Sequence, residues 1–143
     1  MILLLSDLEV VLEKKIIMNK LIIDVTGEKI FLMLITNKDI YNITEDNTKI
    51  NYEKLTQIIH DFLKSNKFKL KDINKIYLNR GPGSFAGIRN AISIVKAFYL
   101  TNKIDYYCYS LEDFCSEKDL SHENIPYLCD KFKIEKNLIN PIY

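Results

Sequence analysis

The chain has 143 residues, 48% of them hydrophobic and 27% charged, the composition of an ordinary single-core globular protein. A formal net charge of +1 removes any global electrostatic pull toward nucleic acid or membrane. Cys108, Cys115 and Cys129 are odd in number and form no C-x-x-C, so neither a disulfide framework nor a zinc site is indicated; they read as buried, reduced thiols of a cytoplasmic protein.

Residues 1–17 hold an apolar run too short, and an acid too early, for a signal peptide, and they fall far short of a membrane span. They read as an upstream extension of weak helical tendency, a start-site artefact being one explanation, because MNKLIIDVTG from Met18 has the form of a fresh beginning. Residues 21–25, 30–35 and 40–43 are apolar runs separated by the short turns Thr26-Gly27-Glu28 and 36–39. Turns that short predict an antiparallel meander, since a parallel crossover needs about a dozen residues. The period then changes. Leu55, Ile58, Ile59, Phe62 and Leu63 recur on one helical face, with Asn51 as the expected cap. A strand at 75–79, a helix at 85–100, a strand at 106–110, a short helix at 111–114 capped by Ser110 and a last apolar run at 125–129 follow. The order βββαβαβ predicts an α/β fold, a mixed sheet with packed helices.

Three of the four glycines fall in one stretch, NRGPGSFAGIRN, at residues 79–90. Gly81-Pro82-Gly83-Ser84 has the chemistry of a type II turn, with proline fixing φ and Gly83 taking the positive φ. Ser84 stands where a helix N-cap belongs, and the missing Cβ of Gly87 would let the helix approach the sheet. The competing reading is an anion site at the helix start. Its spacing matches neither the P-loop nor the dinucleotide fingerprint, and Ser84 directly follows Gly83, which breaks the nucleophile-elbow pattern. The following helix is apolar over much of its circumference: Phe85, Ile88, Ile92, Val95 and Tyr99 form one stripe, widened by Ala91, Ile94, Ala97 and Phe98. Such a helix calls for cover on more than its sheet side, from its own domain or from a partner.

Residues Gly81 to Arg89, GPGSFAGIR, are similar to the GPGSF-T-G-[LI]-R signature of the TsaB (YeaZ) family, with Ala86 in place of the usual threonine. Residues 20–26 resemble that family's opening strand and Asp-Thr loop, 51–63 its first helix, 109–112 its V-S-S-L-E segment, and 125–134 the strand opening its second half. The resemblance spans about residues 18–134. It implies an actin-like lobe, ribonuclease H-like and sugar-kinase-like, over 18–118; family members usually carry a second lobe, and this chain departs from them as a shortened form in which 119–143 is a remnant of that lobe's start. The resemblance implies a non-catalytic, cytoplasmic subunit without cofactor or metal. Such a subunit binds and stabilises TsaD, which threonylcarbamoylates adenosine 37 of tRNAs reading codons that begin with A. TsaE joins through the complex, tRNA is met only indirectly, and no membrane is involved.

The family's pairing surface lies on its first two helices. Carried over here, that gives Leu55, Ile59 and Phe62 with Ile88, Ala91, Ile94, Val95 and Phe98, a surface that would also serve a homodimer. The signature residues Gly81, Pro82, Gly83, Ser84, Phe85, Gly87 and Arg89 would hold the turn and helix start. The alternatives are a nucleotide-binding ATPase or peptidase-like enzyme of the same fold, or a self-associating remnant. Against an enzyme, one lobe supplies one wall of a nucleotide cleft, the H-x-x-x-H of TsaD is missing, and His60 and His122 read as ordinary histidines. Asp24 and Thr26 match the family's opening loop, although an acid after a strand is also a common turn former.

Overall fold

The computed structural model describes residues 18–143, so the reading of 1–17 as an extension lies outside the described residues. Strands β1 (Lys20–Asp24), β2 (Lys29–Ile35) and β3 (Ile40–Asp46) form the expected antiparallel meander. β4 (Lys75–Asn79) and β5 (Asp105–Tyr109) add parallel to its other edge, giving the sheet order β3-β2-β1-β4-β5. The mixed sheet with packed helices is the predicted α/β architecture.

Strand alternation divides the apolar residues between two faces. Leu21, Ile23, Leu32, Leu34, Ile76 and Leu78 point to one face, where α2 (Leu55–Ser65) and α3 (Phe85–Asn102) cover them. Ile22, Met33, Tyr77 and Tyr109 point to the other, covered by α4 (Ile125–Lys131) and Phe114. Each fully buried Leu or Ile on these faces contributes about 1.5–3 kcal/mol.

Two predicted details change. The first helical segment is broken: Thr48, not Asn51, caps α1 (Lys49–Glu53), accepting from the Asn51 amide at 3.3 Å, and the helix restarts as α2 after Lys54. The Asn51 side chain instead donates to the Asp46 carbonyl. The apolar run at 125–129 is not a strand but the start of α4, where Pro126 is accommodated in the first turn. Ile125, Leu128 and Cys129 then share the helix face that packs on the sheet. No helix among the described residues is long and apolar enough to cross a membrane.

Candidate functional site

The glycine-rich stretch links β4 to α3 and is gripped from two sides. The Arg80 amide donates to the Tyr109 carbonyl (2.7 Å), and the Arg80 carbonyl accepts from the Ile142 amide (2.8 Å). Positive φ falls on Gly81 (114°), not on Gly83, and the Gly81–Pro82 peptide is cis. The expected type II turn is corrected accordingly. A Cβ at Gly81 would lie 1.9 Å from the Ile142 carbonyl oxygen, so glycine is demanded there by both conformation and space. At Gly83 the demand is space alone, because a Cβ would stand 2.4 Å from the Thr26 carbonyl oxygen. Gly87 is less constrained: a Cβ would meet the Val25 carbonyl at 3.4 Å, ordinary contact. Ser84 caps α3 as expected, accepting from the Gly87 amide at 3.4 Å.

Gly83 and Gly87 therefore seat the turn on Thr26 and Val25, just after β1, and Gly81 seats it on the segment at Ile142, while other signature residues look outward. Phe85 is 55% exposed and packs against Tyr143, with ring centroids 4.4 Å apart. The Arg89 guanidinium lies 6.0 Å from the Phe85 ring centre. With Ala86, Asn90 and Ser93 these two residues line a shallow surface depression. The Asn90 amide reaches across to the Tyr52 carbonyl and fastens α1 beside α3.

Of the eight residues expected at a pairing surface, seven lie in the chain's own core. Leu55, Ile59, Phe62, Ile88, Ala91, Val95 and Phe98 are buried, and only Ile94 is half-buried. The reason is geometric: the broad apolar arc of α3 faces the sheet and α2 together. The free side of α3 instead carries Ala86, Arg89, Ser93, Lys96, Ala97 and the exposed Leu100. Small side chains leave the helix backbone approachable there, and one large apolar residue stands at its end. Periodicity could not separate these faces because both contain alanine and leucine-like residues.

A polar cluster closes the carboxyl ends of the central strands on the opposite face. Asp24 accepts from the Thr26 hydroxyl (2.7 Å) and amide (3.1 Å), from the Asn79 amide group (3.2 Å) and pairs with His122 Nε2 (3.0 Å). Burial alone would raise its carboxyl, but the bonds from His122, Thr26 and Asn79 outweigh this and hold it at about 2. The His122 ring stacks on Phe31 with centroids 4.0 Å apart. Asn79 also accepts from the Gly81 amide (3.0 Å), which joins this cluster to the signature turn. His122 is thus a satisfied histidine, paired with an acid 98 residues away, a partnership invisible to local pattern. Nearby, the buried Tyr109 hydroxyl has no hydrogen-bond partner among the described residues.

Arg80 was another residue no motif singled out. It bridges Asp113 (2.8 Å) and the Asn140 carbonyl (2.8 Å), tying the loop after β5 and the segment near residue 140 to the turn. Cys108 and Cys129 are buried, and burial pushes both thiols up to about 12; Cys115 is exposed, which corrects the reading of all three as buried. His60 is exposed on α2, edge-on to Phe98. No group of three or more metal-ligating side chains is gathered among the described residues.

The family model described as TsaD: tRNA N6-adenosine threonylcarbamoyltransferase matches residues 46–126. A tRNA threonylcarbamoyladenosine biosynthesis protein TsaB from Buchnera aphidicola subsp. Schizaphis graminum is 31% identical over 98 residues, covering 68% of this chain and 47% of that protein. A second TsaB of the same description, from Buchnera aphidicola subsp. Baizongia pistaciae, is 37% identical over 60 residues, 42% of this chain and 27% of its own length. The chain thus spans about half the length of the first curated relative and about a quarter of the second. Among solved structures, YeaZ from Pseudomonas aeruginosa superposes with a TM-score of 0.60 at 22% identity, over 65% of this chain and 44% of that one. That likeness establishes the actin-like fold.

Proposed function

The chain belongs to the TsaB (YeaZ) family, and from that premise we propose that it acts in tRNA threonylcarbamoyladenosine biosynthesis as a non-catalytic subunit that docks on TsaD. The observation that carries the proposal is the outward side of α3. It begins at the signature residues Phe85 and Arg89, continues through Ala86, Ser93 and Ala97, and ends at Leu100, which is 68% exposed. A helix with small residues along its exposed line lets a partner helix approach closely, and a standard interface buries roughly 800 Å² per partner. The turn that precedes it is held by Gly81, Gly83 and Asn79, so the helix start is presented by a preorganised support. The proposed surface therefore stays on the second helix but moves from its buried arc to its free one.

In this reading TsaD carries the transfer chemistry, and TsaE and tRNA are brought in by the assembled complex. The rival reading, a nucleotide-handling enzyme, would need Asp24 for a metal–phosphate group. Both oxygens of that carboxylate are already engaged by Thr26, Asn79 and His122. Co-expression with the TsaD of the same organism tests the proposal: the two chains are expected to co-purify in equal amounts. Stoichiometric ATP binding by this chain, with no TsaD captured, would favour the enzyme instead.

A further inference from the structure

We propose that the groove beyond the carboxyl end of α2 is a binding site for single-stranded RNA, and that the tRNA substrate touches this chain there directly. This inference rests on the functional reading above, which makes an RNA the substrate of the complex. A cavity of about 660 Å³ lies between α2 and the loop that follows it, with Leu63, Phe68 and Leu70 among its apolar lining. Lys64, Lys67, Lys69 and Lys71 also line it, opposed by one acid, Asp61, which is engaged by Gln57. All four lysines are exposed, and none forms an ion pair among the described residues. Outside the groove only Lys29, Lys131 and Lys136 find a carboxylate among the described residues, so what marks this groove is four unpaired lysines on one lining. The net charge of +1 conceals this segregation.

The local fold holds the like charges together. Amides of Lys67 and Phe68 return to the carbonyls of Lys64 and Leu63, a Schellman end in which Lys67 takes the left-handed conformation (φ 65°) usually left to glycine. The negative end of α2 accounts for Lys64 and Lys67, but its influence fades within the last turn and does not reach Lys69 or Lys71. Four unpaired ammonium groups at one groove repel each other until a polyanion fills it. Two features favour RNA over an acidic peptide. Lysines act as point charges suited to successive phosphates, and the groove holds none of the arginine forks that favour paired carboxylates. The half-buried Phe68 and the exposed His60 line the groove with rings on which bases could stack, and Phe68 also borders a second hollow of about 290 Å³ with Tyr41, Lys38 and the acid Asp39.

The test uses the full chain and a fluorescein-labelled, unmodified tRNA anticodon-arm transcript, read by anisotropy across a salt series. With four phosphate contacts, log affinity should fall against log salt with a slope of about −3. The variant Lys64→Ala, Lys67→Ala, Lys69→Ala, Lys71→Ala should bind more than tenfold more weakly with the slope near zero. A control with Lys49, Lys54, Lys118 and Lys133 changed to Ala loses the same charge and should bind like the parent; equal loss in both overturns the site. Labelled polyglutamate of matched charge binding as tightly as the RNA would assign the groove to an acidic protein, also overturning it. TsaD capture is measured in parallel. Capture without RNA binding rejects the groove and leaves the functional reading standing, whereas RNA binding without capture rejects that reading.

Discussion

The two faces of the sheet are held by different forces. On one, α2 and α3 bury a continuous hydrocarbon layer, with Leu55, Ile59, Phe62, Ile88 and Val95 almost wholly excluded from water. On the other, a short helix and two irregular segments cover a smaller cluster, fastened at its rim by Asp24–His122 and Arg80–Asp113. The first face should therefore set the chain's stability independently of pH, and the second should respond to acid. The difference also separates support from function. The helix layer is packed inward, and its other side is exposed.

The largest expected effect tests the hydrocarbon layer. Phe62→Ala should cost about 3–5 kcal/mol by chemical denaturation, because the cavity would form where neighbours cannot collapse. A cost below that of a surface change would mean the layer is not the stabilising core. Next comes Gly83→Val, placed where the helix layer meets the β1–β2 loop. Its Cβ would collide with Thr26 backbone, so a loss near the upper end of overpacking, about 3 kcal/mol, is expected in the melting midpoint. An unchanged midpoint would show that the turn does not rest on Thr26.

Much of this layering was legible from residues. The meander followed from turns only a few residues long, and the face of α2 from its i, i+3, i+4 pattern. Contacts between distant segments were not. Gly83 looked like the positive-φ residue because turn preferences are local, whereas the positive φ falls on Gly81, which lies against the Ile142 backbone from a distant part of the chain. The run at 125–129 has the length and apolarity of a strand, and only the sheet face beneath it selects a helix. That most of the residues expected to pair are buried in the chain's own core was not legible either, because no pattern within one helix records what packs against it.

The polar rim supplies the third expectation. Asp24 is held at about 2, below the 3.8 of an unperturbed group, so its carboxylate stabilises the fold above pH ~4. That contribution, about 2 kcal/mol, should be lost as pH falls from roughly 4 toward 2. In Asp24→Asn the same window should be flatter in stability measured by urea titration; a parent and variant with identical acid slopes would remove Asp24 from the account. Cutting the other fastening is smaller: Asp113→Asn leaves an acceptor for Arg80 and should cost about 1 kcal/mol, measured the same way.

The smallest expected change in stability decides the functional claim. Leu100→Glu alters an exposed side chain on the free side of α3 and should shift stability by less than about 0.5 kcal/mol. Ser93→Glu, one line along, should behave alike. Calorimetric titration of TsaD with the parent and these two variants is the most direct measurement. The account predicts a one-to-one complex with the parent and at least a hundredfold weaker binding by both variants, each still folded, because a charge buried there would be unpaired. Folded variants that bind TsaD as tightly as the parent would contradict it and place the interface elsewhere.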